Sequence, residues 1–500
     1  MAVPVIDLFA GPGGLSEGFD RYRSGGKKAF RCVLSVEKER FAHRTLLLRA
    51  FFRQFKRPPK DYYAHIRGDL SLTKLYQLYP KQHQAAIAEA IRLSLEQRNR
   101  NRIDGLIKKA LRGHRNKWIL IGGPPCQAYS LVGRARRRGE DRKAFENDGR
   151  HFLYKEYLRI LREFRPPIFV MENVKGLLSS SAKGVGIFKR MLEDFAAAGY
   201  TLYSFVKKGN GDELNPMDYV ITAEKFGIPQ TRHRVILLGI RKRLERGSHH
   251  LRETNKLVPI QAAIGDLPRI RSHVSPPSRD SYETWEHELR RLRSVVKRNG
   301  RLRGLKGGRR RLGKLDGGTM FIRAKSPKHA DDSWLERHRS WIIDSRIGGV
   351  TLHQARHHMP TDLRRYLFAS HHARIHGTSP KIADFPWWLR PAHKNVGKAV
   401  TENLFADRFR VQVKCKPCTT VVSHISKDGH YYIHYDPTQC RSLTVREAAR
   451  LQTFPDNYQF EGPRTAQYQQ VGNAVPPLLA HQIAAIVYGI LNQRARRQLS

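Results

Sequence analysis

Cysteine is scarce in this chain, with five in 500 residues: Cys32, Cys126, Cys415, Cys418 and Cys440. A set so sparse and odd in number cannot build a disulfide framework, so a reducing, intracellular setting is expected, in which a thiol is either inert core or reactive. Long apolar runs are missing too. None approaches the roughly 18–20 residues of a membrane span, and the N-terminus carries no secretory pattern, so no membrane partner is expected. Acidic residues are the third shortage: 44 stand against 92 Lys and Arg, a formal net charge of +48. Such an excess repels itself unless a polyanion is the usual partner, which points to nucleic acid. What is present, 40% hydrophobic residues in a long chain, suffices for two or three domains with real cores.

Strand and helix patterns alternate through the first half. "AVPVIDLFA", "GPGG", "LSEGFDRYR" and "RCVLSV" read as strand, turn, helix, strand, and further strands are expected at "WILIGG", "PPIFVMENV" and "RVILLGI". That alternation implies an α/β fold with a doubly wound, mostly parallel sheet covered on both faces. The stretch between Asp69 and Trp118 reads as amphipathic helices with a basic outer face. After residue 268 the pattern weakens, and "RLRGLKGGRRRLGKL" (301–315) reads as a phosphate-contacting or mobile loop. Three segments are therefore expected: 1–268 as the main α/β domain, 269–410 as a smaller, irregular domain rich in Arg, His and Trp, and 411–500 completing the first.

Polar groups gather at the ends of the expected strands, where open α/β sheets build their sites. The glycines of "DLFAGPGG" let the backbone approach a ligand at a helix N-terminus. A dinucleotide fingerprint would want a third glycine where Ser16 stands, which favours another nucleoside cofactor. Glu37 in "VLSVEKE" suits a ribose diol, and Asp69 in "IRGDLS" an adenine amino group. In "WILIGGPPCQAYS" two glycines and two prolines end an apolar strand one step before Cys126. Most free cysteines are small buried hydrophobes, but a core residue has no use for a rigid turn before it and polar residues after it. The alternative is a thiol nucleophile. "PPIFVMENV" ends another strand with Glu172 and Asn173, which reads either as an acid group or as a helix cap. Gln230, Arg232 and Arg234 alternate, so on one strand all three would face a base carbonyl or phosphates together; a solvated strand face is the plain alternative.

Taken in order, "DLFAGPGG", "GGPPCQAYS", "MENVKGLLS", "GIPQTRHRVILLGI", "SLTVREAARLQTFPDNY" and "QVGNAVPP" resemble the cytosine-C5 DNA methyltransferases over most of the chain. The resemblance implies the S-adenosylmethionine-dependent methyltransferase fold with a separate target-recognition domain at 269–410. It implies Cys126 as the nucleophile that attacks cytosine C6, Glu172 holding N3 and the exocyclic amine, Arg234 on the cytosine O2, and Arg232 supporting the loop and a nearby phosphate. S-adenosyl-L-methionine would be held by Phe9, Ala10, Gly11, Gly13, Gly14, Leu15, Glu37, Asp69, Leu70 and Pro124, with Asn473 and Val475 closing over its methionine end. Ala474 lacks the hydroxyl that some members place there. No metal is expected, since Cys415 and Cys418 form a lone CxxC without a second pair.

Double-stranded DNA is the partner so implied, with the cytoplasm or nucleoid as the place if the source is bacterial. Functional pairing with a restriction or repair nuclease is compatible with such an enzyme, and the oligomeric state is left open. A tRNA cytosine-C5 methyltransferase of the same fold, and a DNA-binding regulator that has lost activity, are the rivals. The large basic region after 268 argues against the first, and the intact Cys126, Glu172 and Arg234 against the second.

Overall fold

The computed structural model describes residues 2–114, 117–125, 151–178, 181–182, 185–241, 250–298, 315–324, 333–392, 396–402, 406–427 and 429–497. Cys126 and almost all of the Gly/Arg run at 301–315 lie outside them. The main sheet has eight strands: β1 (Val3–Leu8), β2 (Phe30–Glu37), β3 (Ala90–Arg92), β4 (Ile119–Gly122), β5 (Ile168–Val174), β6 (Tyr200–Ser204), β7 (Val220–Thr222) and β8 (His233–Arg241). Their spatial order is β6-β8-β5-β4-β1-β2-β3, with β7 on β8. From β3 to β5 every pairing is parallel, and β8 runs antiparallel between β5 and β6. Strand order therefore reverses at β1, which lies between β2 and β4. The sheet is doubly wound, and its switch point opens beyond Leu8 and Gly122, which are paired in register.

Continuous apolar strands such as "VPVIDL" and "ILIG" mark a sheet buried on both faces, and alternate residues supply two cores. Val5, Ile119, Ile121, Val170 and Ile236 point to one side; Ile6, Leu8, Leu120, Met171 and Leu237 point to the other. The second face is covered by α6 (Arg100–Ala110), α7 (His151–Phe164) and α8 (Ile187–Ala197). On the first lie α1 (Gly14–Arg21) and, from the far end of the chain, α11 (Val445–Leu451), α12 (Arg464–Asn473) and α13 (Pro477–Arg497). α13 packs along α1, with the Tyr22 ring 5.3 Å from His481 and 5.6 Å from Tyr488. The stretch Arg464–Asn492 is long and apolar enough to cross a membrane by length and composition, against the expectation that no run approaches a span, yet 67% of its most apolar window is buried in this core.

One expectation is corrected between Asp69 and Trp118. After α2 (Arg40–Arg53), α3 (Lys60–Arg67), α4 (Leu72–Leu78) and α5 (Pro80–Glu89), the segment expected to be wholly helical supplies the edge strand β3. Three residues are too few to break a helical periodicity, so pairing with β2 decides their conformation.

Beyond the sheet, α9 (Tyr282–Arg298) and α10 (Pro360–His376) pack around Trp285, Leu363, Tyr366 and Phe385. The side-chain clusters do not divide at 268 and 410. Val411, Ile433 and Cys440 join the small core, whereas Trp334, Trp341 and Leu352 belong to the large one. Trp334 and Trp341 also donate their indole N–H groups to the backbone of Gly227 and Thr453, both at 2.9 Å.

Candidate active site

At the switch point the chain leaves β1 through a tight turn and enters α1. Phe9, Gly11 and Gly13 all have positive φ (57, 57 and 94°), and Gly13 is the N-cap of α1. Gly14 serves proximity: a Cβ there would lie 2.3 Å from the carbonyl oxygen of Val475, so only glycine lets the C-terminal segment close on this turn. From the end of β2 the Glu37 carboxylate accepts the N–H groups of Gly11 at 2.8 Å and Glu39 at 2.7 Å, bridging the two loops. Burial raises its pKa above the ordinary value, and those hydrogen bonds oppose the rise.

These loops enclose a cavity of about 420 Å³, within the usual range for small-molecule sites. Phe9, Ala10, Gly11, Gly14, Leu15 and Glu37 line one wall, with residues 93–96 beside them at the end of β3. Pro124, Pro125, Glu172, Asn173 and Val174 form the opposite wall, and Gln470, Asn473, Ala474 and Val475 close it. Of the residues expected around a cofactor, Gly13 is set back from the wall as the helix cap.

Asp69 and Leu70 are not brought there. The Asp69 carboxylate is 62% exposed and bonds to Arg67 at 2.9 Å, while Leu70 packs with the helices of the insert. Residues 93–96, which follow β3 (Ala90–Arg92), line the cavity in their stead.

Across the cavity, β5 carries Glu172 beside β8, and the Arg234 Nε lies 3.2 Å from its carboxylate. Asn173 donates to the carbonyl of Pro124 at 3.3 Å and accepts the Val174 N–H at 2.8 Å, pinning the proline turn to the strand that bears Glu172. Cys126 follows that turn directly but lies outside the described residues.

The expected row of Gln230, Arg232 and Arg234 is corrected. Of the three, only Arg234 is paired with a residue of the cavity wall, Glu172. Gln230 is fully buried, donating to the Leu451 carbonyl and the Gln452 side chain, both at 2.8 Å, and accepting the Val421 N–H. Arg232 is 2% exposed and donates to the carbonyls of Val421 at 2.9 Å and Gly472 at 3.2 Å. Burial, with Arg234 alongside, pushes its pKa down to about 9. So enclosed, it cannot touch a phosphate; it ties the 421 and 472 segments to the sheet. The chain bends between Gln230–Thr231 and β8, so strand alternation does not apply.

Asp7 went unnoticed in the sequence. It is fully buried on the cavity wall, and burial pushes its pKa up to about 7, a rise that neighbouring Ser16 opposes. A lone carboxylate inside the apolar strand "VPVIDL" was the available signal.

A doubly wound sheet with an antiparallel β8, a glycine turn at its switch point and an acidic residue ending β2 defines the class: this is the methyltransferase fold. A crystal structure of a prophage-encoded protein of Escherichia coli, described as a DNA modification methyltransferase, shares it with a TM-score of 0.52 at 19% identity, over 98% of this chain and 100% of that one. The family model for C-5 cytosine-specific DNA methylases matches residues 90–488. The type II methyltransferase M.Bpa9945I of Bacillus paralicheniformis is 35% identical, covering 98% of this chain and 99% of its own. The type II methyltransferase M.DdeI of Desulfomicrobium norvegicum is 27% identical over 96% and 87% of the two chains. The chain belongs to the C-5 cytosine-specific DNA methylase family.

Proposed function

We propose that this protein transfers a methyl group from S-adenosyl-L-methionine to C5 of a cytosine flipped out of duplex DNA, through a transient bond between Cys126 and C6. The observation that carries the reading is Glu172 on the cavity wall, paired with Arg234 at 3.2 Å and held against the proline turn that leads into Cys126. Type II methyltransferases among the relatives support DNA as the substrate and a restriction–modification setting, with a nuclease as functional partner.

The cavity fits the donor. Each Glu37 oxygen accepts one backbone N–H and keeps a lone pair for a ribose hydroxyl. Phe9, Ala10, Gly11, Leu15 and Glu37 would hold the nucleoside side, and Asn473 and Val475 the methionine end. When bound, S-adenosylmethionine supplies an electrophilic methyl on its sulfonium. Cytosine C5 is a poor nucleophile until a thiolate adds at C6, and that is the task assigned to Cys126. Glu172 would hydrogen-bond N3 and the amine, and Arg234 the adjacent O2, so the charge pair matches neighbouring groups on one base edge. Loss of the C5 proton to a water or loop base then expels the thiolate. C6 is unreachable in a stacked duplex, so the base must leave it, at a cost of a few kcal/mol.

Duplex DNA carrying 5-fluorocytosine tests this, because fluorine cannot leave as a cation and the covalent bond persists. A donor-dependent shifted band is expected on denaturing gels, absent in Cys126→Ser. Equal trapping by that variant would overturn the role of Cys126, and trapping on tRNA but not on duplex would overturn the substrate.

A further inference from the structure

A second cavity, of about 450 Å³, opens between the 421–427 segment and the N-terminus of α10. Arg356, Arg408 and Lys427 line it with His357, His424 and His430. Its one described carboxylate, Asp362, is buried and bonded to Arg365 at 2.9 Å. Arg408 and Lys427 form no ion pair with any described carboxylate. The guanidinium of Arg356 is fixed, donating to the carbonyls of Ile425 and Ser426 and lying 4.0 Å over the Tyr468 ring, with its Nε left without a partner. Met359 caps α10 without a side-chain bond, so the positive end of a 17-residue helix adds to the same field.

Cations that outnumber the described carboxylates in this way repel one another until an anion enters. The walls suit a phosphate rather than a base. The Tyr366 ring is buried, its hydroxyl 2.8 Å from His430, and the donors on offer are guanidinium and ammonium groups. The position matters as much as the charge. The segment that lines this cavity through His424 and Lys427 begins at Val421, which Gln230 and Arg232 fasten to the strand end carrying Arg234.

We propose that this cavity seats one backbone phosphate of bound duplex DNA, and so fixes the register in which the target cytosine meets Glu172. The proposal rests on duplex DNA being the substrate.

Arg408→Gln, Lys427→Gln and the double variant test it, with unchanged melting curves as the check on folding. Binding to plasmid DNA is measured against salt; one lost phosphate contact should flatten the slope of log K on log salt by about 1, weakening all sequences alike. Because both side chains serve one phosphate, the double variant should lose no more than about one such contact. A scan of single methylphosphonate linkages around the methylated site should find one position whose neutralisation weakens the wild type but not the double variant. An unchanged slope, or methylphosphonate losses that add to the variant's at every linkage, would overturn the proposal. If the slope flattens while the wild type methylates no duplex, the cavity binds phosphate and it is the reading of the substrate that fails.

Discussion

Glu172 lies near the end of β5, beside the proline turn and 3.2 Å from Arg234, so its carboxylate is held in place by its neighbours. Glu172→Gln keeps the shape and one acceptor oxygen but cannot carry or share a proton at N3. Methyl transfer should slow by roughly 10²-fold or more, the usual range for a positioned acid–base group, with DNA and donor affinity retained. Single-turnover kinetics would check this, and a wild-type rate would reduce Glu172 to an anchor for Arg234. Glu37 and Glu172 were legible in the sequence because each ends a long apolar strand, and strand ends build sites in this architecture. Asp69 lies away from the cavity, whose neighbouring strand is only Ala90–Arg92, three residues hidden in a helical pattern. The burial of Arg232 left no trace at all. In a chain with 92 basic residues, one more arginine beside another reads as surface.

Whole elements meet at α1, and two expectations belong to that scale. Gly14→Ala would improve helix propensity by up to about 1 kcal/mol, yet its Cβ would press on the Val475 carbonyl at 2.3 Å. Overpacking costs about 1–3 kcal/mol, so displacement of the 473–475 segment should weaken donor binding by about tenfold or more, measurable by calorimetry. Affinity equal to wild type would mean that the segment closes elsewhere. On the inner side of α1, Glu17 is 1% exposed and bonds to Arg49 at 2.5 and 2.9 Å. Burial alone would raise its carboxyl, but the Arg49 guanidinium overrides it and holds the pKa down to about 2, against 4.5 for the free group. A depressed folded value means stability that is present above pH 4.5 and is lost as pH falls from there through about 2. The contribution is on the order of 3 kcal/mol. Urea midpoints of the wild type should fall across that window, while Glu17→Gln should be less stable at neutral pH and flatter below it.

Across the whole molecule, the chemistry and the choice of sequence are expected to separate. Residues 269–410 interrupt the blocks that carry the family resemblance and are dense in Arg, His and Trp. Arginine can read guanine bidentately at about 1–3 kcal/mol per good pair, whereas phosphate contacts position without specifying. Exchanging this segment with that of a relative of different specificity should move the methylation pattern with it, as read by bisulfite sequencing. An active chimera that still modifies the original site would place recognition elsewhere. The side-chain clusters guide the exchange, since Trp334 and Trp341 are rooted in the large core and Val411, Ile433 and Cys440 in the small one. That interleaving was invisible in the sequence, where only the loss of strand–helix alternation marked the segment.

The packing of α13 along α1 also sets a timetable on the ribosome. Residues 14–21 emerge about 450 residues ahead of the helix they rest on, a wait of roughly 20–90 s at about 5–20 residues per second. Through that interval the glycine turn and Glu37 exist without Gln470, Asn473 and Val475, so the cavity stands open on one side. A nascent chain can therefore fold much of its sheet early and still hold no finished cavity until residues 470–475 have emerged.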